Sequence, residues 1–159
     1  MSGATHMELN DEQASAWHSL LVATGRVEAR IDEELIAEAD ITLAEYEVLH
    51  HLAGAPDGRL RMNELADLAR LSPSGLTRRF DALVRRDWVT RERCDDDRRG
   101  VFAQLTRAGR ARMESARPVH DRAVIEHFFQ WLRPEDLRCM TKVMGAVAEA
   151  NEDRTAVRA

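Results

Sequence analysis

The side chains best suited to gripping a polyanion are gathered between Ser72 and Gly109. Ser74, Gly75, Thr77, Arg78 and Arg79 are near neighbours, and Arg85 follows about two helical turns later. Hydroxyls and guanidiniums crowded into the first turns of a helix are the groups that touch base edges and phosphates when that end enters a major groove. Further on, Asp97-Arg98-Arg99-Gly100 sets two more guanidiniums beside a carboxylate. An arginine on a surface helix is ordinarily just solvated. The pattern gains meaning only if the flanking elements bring these groups to one surface.

Those elements can be read in turn. Ser72 is a good N-cap and Pro73 suits the first helical position, so a helix starts there, with Leu76, Phe80, Leu83 and Val84 forming its buried stripe. Gly75 lowers helix propensity inside that first turn, a cost that makes sense where a backbone must approach a ligand closely. Upstream, Arg59 to Arg61 reads as a short strand. Asn63 is placed to cap a short helix from Glu64 to Arg70, with Leu65, Ala66, Leu68 and Ala69 facing inward. Downstream, Trp88 to Arg93 and Val101 to Leu105 read as two strands around the arginine-bearing turn. A short helix, a turn, a second helix and a hairpin look like a winged helix-turn-helix.

Asp97-Arg98-Arg99-Gly100, followed by Leu105-Thr106 and Ala108-Gly109, resembles the wing signature of the MarR family of bacterial transcription regulators. Leu60-Arg-Met-Asn-Glu-Leu-Ala, the helix opening Leu71-Ser-Pro-Ser and the long flanking helices resemble that family too, so the likeness runs from Gln13 to Asn151. The resemblance implies a mainly α fold with a small antiparallel β wing and dimerisation helices at both ends. It implies that Ser72, Ser74, Gly75, Thr77 and Arg78 lie where relatives approach DNA, with Arg79 and Arg85 contacting its backbone. On the wing, Arg99 is the minor-groove candidate, Asp97 its fork-like ion-pair partner, and Arg98 a phosphate contact. One departure stands at Asp87, where the family commonly ends its reading helix with Gly; aspartate adopts the left-handed backbone less readily, which affects the angle of the wing.

Residues 11–39 and 107–151 are expected to be the dimerisation helices and 40–106 the DNA-binding lobe. Residues 1–10 read as a disordered start or cloning remnant, and 152–159 as a frayed tail. Within the first helix Trp17, Leu20, Leu21, Val27, Ile31 and Leu35 keep a helical period. The stripe has no sequence-local partner and calls for a surface on the C-terminal helices of its own chain and of a second copy. Thr42 and Glu45 have capping-box spacing, with Ile41 placed to staple onto Tyr46. Thr106 caps a helix expected to continue through Pro118 as far as Leu132. The last helix opens at Arg133-Pro-Glu-Asp, carries Leu137, Met140, Val143, Met144 and Val147, and reaches about Ala150.

Charge supports a directed surface. Residues 59–117 hold 15 arginines against 9 acidic residues, whereas the remainder holds 8 basic and 19 acidic ones, for a net charge of -5. There is no apolar run of membrane length and no signal peptide, and Cys94 and Cys139 lie far apart, so a cytoplasmic location with reduced thiols is expected. No zinc-spaced Cys or His pair, phosphate loop or nucleophile motif occurs; no metal, no cofactor and no enzymatic activity are expected.

The family resemblance implies a homodimeric regulator, a repressor, that binds an inverted repeat of double-stranded DNA and is released by a small aromatic or phenolic effector. Trp17, Tyr46, His50, His51 and His120 are the candidates for lining an effector pocket, although each could equally be ordinary packing. The alternative is a winged-helix interaction module or antirepressor that no longer binds DNA.

Overall fold

The first helix begins where Asn10 and Gln13 exchange hydrogen bonds. Asn10 Oδ1 accepts from the Gln13 N–H at 2.8 Å, and Gln13 Oε1 accepts from the Asn10 N–H at 3.0 Å. In the computed structural model, which describes residues 8–93 and 101–156, this helix is α1, Asp11–Ala39. The same reciprocal cap, from Thr42 and Glu45, opens α2 (Leu43–Gly54), and Ile41 and Tyr46 on either side of it are both buried. Then follow β1 (Arg59–Arg61), α3 (Met62–Leu68), α4 (Pro73–Arg85), β2 (Val89–Arg93), β3 (Val101–Leu105), α5 (Arg107–His127) and α6 (Pro134–Ala156).

Two left-handed residues close the ends of the middle helices. Arg70, at φ 55°, ends α3 so that the Leu71 N–H reaches Ala66 O at 2.9 Å; Asp87, at φ 58°, ends α4 so that the Trp88 N–H reaches Leu83 O at 3.0 Å. Asp87 thus adopts the conformation that glycine favours, and the hairpin leaves α4 from there. The three strands form one antiparallel sheet in the order β1-β3-β2, with Arg59 opposite Gln104 and Arg91 opposite Ala103. Ala103 and Leu105 face inward on the central strand.

One core unites α2, α3, α4 and the sheet with the inner half of α1 and with α5. Leu35, Leu49, Phe80, Leu83 and Met113 are fully enclosed in it. The outer half of α1 and all of α6 stand apart. Every residue from 11 to 21 is exposed, and among the described residues of α6 none is buried. Trp17, Leu21, Val143 and Val147 therefore present apolar surface outward.

Several expectations are corrected. α3 starts at Met62, ahead of Asn63, because the Glu64 carboxylate reaches back to the Arg61 N–H at 3.0 Å and takes over the capping role. Leu68 and Val84 are exposed, since each lies past the edge of its helix's packed side. α5 runs through Pro118 but stops at His127, where Phe128 leaves helical geometry and a 3-10 turn, Phe129–Trp131, leads toward α6. α6 runs from Pro134 to Ala156, past the Ala150 expected as the end of its stripe.

Candidate nucleic-acid interface

α4 is placed by its buried side. Leu76, Phe80 and Leu83 are enclosed, which turns Ser74, Thr77 and Arg78 outward, with Arg85 exposed at the far end. Ser72 serves the helix itself: its Oγ accepts the Gly75 N–H at 3.1 Å and lies 3.3 Å from Ser74 Oγ. The Thr77 hydroxyl donates to Pro73 O at 2.8 Å, leaving its oxygen lone pairs outward as acceptors. Gly75 has a local reason as well, because a Cβ there would sit 3.0 Å from the capping Ser72 Oγ. Arg78 and Arg85 form no ion pair among the described residues. Arg79 differs from them: it is half-buried, and its Nε is enclosed without an acceptor.

The root of the hairpin is fixed to this helix by a pair that sequence reasoning missed. Arg91 of β2 donates to the Asp81 carboxylate at 2.6 Å, and its guanidinium lies 5.2 Å above the Phe80 ring. The two residues are ten apart with a turn between, so only the angle between helix and strand reveals them as partners. On the sheet, Arg59 and Arg61 stack over Phe102 at 4.0 and 4.9 Å, and Arg59 lies 3.6 Å from the Glu92 carboxylate. Asp97, Arg98, Arg99 and Cys94 lie outside the described residues.

The five candidates for an effector pocket do not form one group. Tyr46 is buried and stacks on His120 at 4.5 Å and on His50 at 5.9 Å, while His50 meets His51 edge-on at 6.0 Å. Burial holds the Tyr46 hydroxyl above its ordinary pKa, helped by Asp121 and opposed by Arg117. Burial likewise pushes His51 down, with neighbouring His50 adding to the effect. His50 and His51 border a hollow of about 290 Å³ beside Pro56, Leu60 and Leu68. Trp17 lies apart from these four. It lies on the outer half of α1, more than half exposed, lining an apolar groove of about 640 Å³ with Leu9, Leu20 and Met144. Its helix overhangs the core at that point, so the indole lines this groove with Met144 of the C-terminal helix and takes no part in the stack around Tyr46.

A short helix, a tight left-handed turn, a second helix with unpaired arginines outward and a three-stranded hairpin sheet define a winged helix-turn-helix protein. A MarR-family model matches residues 39–100. The chain is similar to Sco3205 of Streptomyces coelicolor, a MarR family transcriptional regulator solved in complex with DNA, at 33% identity over 94% of each chain and a TM-score of 0.84. It is also similar to a variant of Escherichia coli MarR complexed with operator DNA, at 25% identity over 89% of this chain and 99% of that one, with a TM-score of 0.74. The transcriptional repressor YetL of Bacillus subtilis is 31% identical over 88 residues; that match takes in 55% of this chain and about half the length of YetL, 53%. The chain belongs to the MarR family, whose members are transcription regulators and not enzymes. Among the described residues no helix is long and apolar enough to cross a membrane.

Proposed function

We propose that the chain reads a specific duplex DNA sequence as a homodimer on an inverted repeat and represses transcription there. The observation that carries this is the free pair of guanidiniums, Arg78 and Arg85, on the outward face of α4, with the Ser74 and Thr77 hydroxyls beside them. Unpaired guanidiniums favour phosphate oxygens, and short hydroxyls can reach base edges from the same surface. The groove beside Trp17 and the exposed stripe of α6 supply apolar area for a second copy. Pairing through that base would set two α4 helices about 34–36 Å apart, one turn of duplex.

Release by a small aromatic or phenolic effector fits the stacked rings of Tyr46, His50 and His120, which lie where α2 meets α5. A cytoplasmic setting follows from the proposed target. Selection of bound sequences from random duplex DNA tests the proposal: enrichment of an inverted repeat is expected, and failure to enrich any sequence leaves the interaction-module or antirepressor reading. On the enriched duplex, Arg99→Ala should weaken binding and flatten its salt dependence.

A further inference from the structure

The ends of α4 are both tied to α1, and neither tie is a packing contact. Before α4, the Arg70 guanidinium reaches two carboxylates through one nitrogen: Nη2 lies 3.3 Å from Glu28 Oε1 on α1 and 3.0 Å from Glu47 Oε1 on α2. After α4, Arg86 Nη1 donates to the Asp40 carbonyl at 2.9 Å, and its Nη2 lies 3.5 Å from the Asp40 carboxylate. Asp40 is the left-handed residue that ends α1, so Arg86 also meets the negative pole of that helix. Arg112 of α5 closes on the same spot, donating to Ala39 O, and both guanidiniums lie against Trp88.

The spans match. Glu28 and Asp40 are separated along α1 by about 18 Å, and α4 is about 20 Å long. One tie restrains a single end of α4; two, near its opposite ends, bear on both its position and its tilt against α1. Beyond the core that α4 shares with α3, β2 and the inner half of α1, these links join its two ends to α1 by polar contact among the described residues. The side chains of Arg70 and Glu28 are exposed and that of Glu47 is half-buried, and ion pairs this open to water add little to stability. What they can do is choose one geometry among several of similar energy.

We infer that Arg70 and Arg86 are positioning residues for DNA recognition: they act through α4, holding it at a fixed angle to α1, and do not themselves touch DNA. The inference rests on the reading of α4 as the DNA-contacting helix. It has an unusual sign. Removing the negative charges of Glu28 and Glu47 should tighten binding to a polyanion if they are only surface charge, and should weaken it if they hold Arg70 in place.

The experiment is fluorescence anisotropy of the full chain with its selected duplex, titrated at several salt concentrations. The unsubstituted chain, E47Q, E28Q/E47Q, R70Q, R70Q/E28Q/E47Q and R86Q are compared. Expected are a loss of about three- to tenfold in affinity for E28Q/E47Q and for R70Q, no further loss in the triple variant, and an unchanged salt slope throughout. R86Q should behave like R70Q. Equal or tighter binding by E28Q/E47Q overturns the inference, as does an R70Q slope shallower by about 0.9, the signature of a lost phosphate contact. Melting curves identify any variant that has unfolded, and E47Q, the mildest change, then decides by the same sign. If the unsubstituted chain binds no duplex, the reading of α4 itself has failed, and the inference falls with it.

Discussion

The Asp81 carboxylate accepts a hydrogen bond from the Arg91 guanidinium at 2.6 Å, joining the middle of α4 to strand β2. Helix and hairpin are thereby held at one angle, and any two surfaces they present to a duplex must arrive together. Asp81→Asn should lower affinity for the selected duplex about two- to fivefold. Both side chains are more than a third exposed, so stability should change by no more than about 1 kcal/mol. Parallel gel-shift and urea-denaturation measurements check this; a large loss of stability would mean that the pair holds the fold and not the angle.

Gly109 lies in the first turn of α5 with its α-carbon against the Trp88 carbonyl, which also accepts the Thr106 N–H at 3.1 Å. A Cβ there would fall far inside contact distance of that backbone, which cannot move aside as a side chain could. Gly109→Ala should therefore cost about 1–3 kcal/mol or more, despite alanine's better helix propensity. Denaturant midpoints measure it, and an unshifted midpoint would show that α5 and β2 can separate freely.

Acid should loosen the joint between α1 and α5. His127 Nε2 lies 2.5 Å from Glu34 Oε1, and Arg122 bridges Glu34 and Glu38. The hydrogen bond from His127 is the largest cause holding the Glu34 carboxyl below its ordinary value, against the opposing effect of burial. A carboxyl with a lowered folded-state pKa contributes stability that is full above the ordinary glutamate value of 4.5 and is lost as pH falls through the folded value. Glu34→Gln should thus flatten the acid limb of a stability-against-pH curve below about pH 4.5. A variant limb as steep as the original would place the acid sensitivity elsewhere.

Trp17 separates assembly from folding. Its ring is 56% exposed, so Trp17→Asp should leave the melting of the isolated chain within about 0.5 kcal/mol. If a second copy covers the groove, the same change should weaken self-association at least tenfold, as read by sedimentation. Unchanged association would remove this groove from the interface.

Much of the scaffold could be read from the chain because its signals are local. The caps at Thr42, Ser72 and Thr106 involve partners only three residues away, and the stripe of Leu76, Phe80 and Leu83 repeats within one helix. Leu68 and Val84 misled because a helix spacing says which residues share a face and not how wide the covering surface is. Trp17 differs: its helical spacing puts it on the apolar stripe, but α1 extends beyond the core that its inner half joins, and spacing does not say where that core ends. The partners of Arg70 and Arg86 lie 23 to 46 residues away, on helices whose mutual angle no spacing rule supplies. Tyr46 and His120 meet for a tertiary reason too, α2 crossing α5.

The strand order has a consequence for how the protein is made. β1 emerges from the ribosome before either α3 or α4, but among the described residues its neighbour in the sheet is β3, so Arg59 must wait for Gln104. A nascent chain that ends at Val89 carries the whole helix-turn-helix and still lacks the ladder that closes beneath it. The sheet of the reading lobe therefore closes only once β3 has been made, and earlier products expose Leu60 and Val89 as unpaired edges open to aggregation.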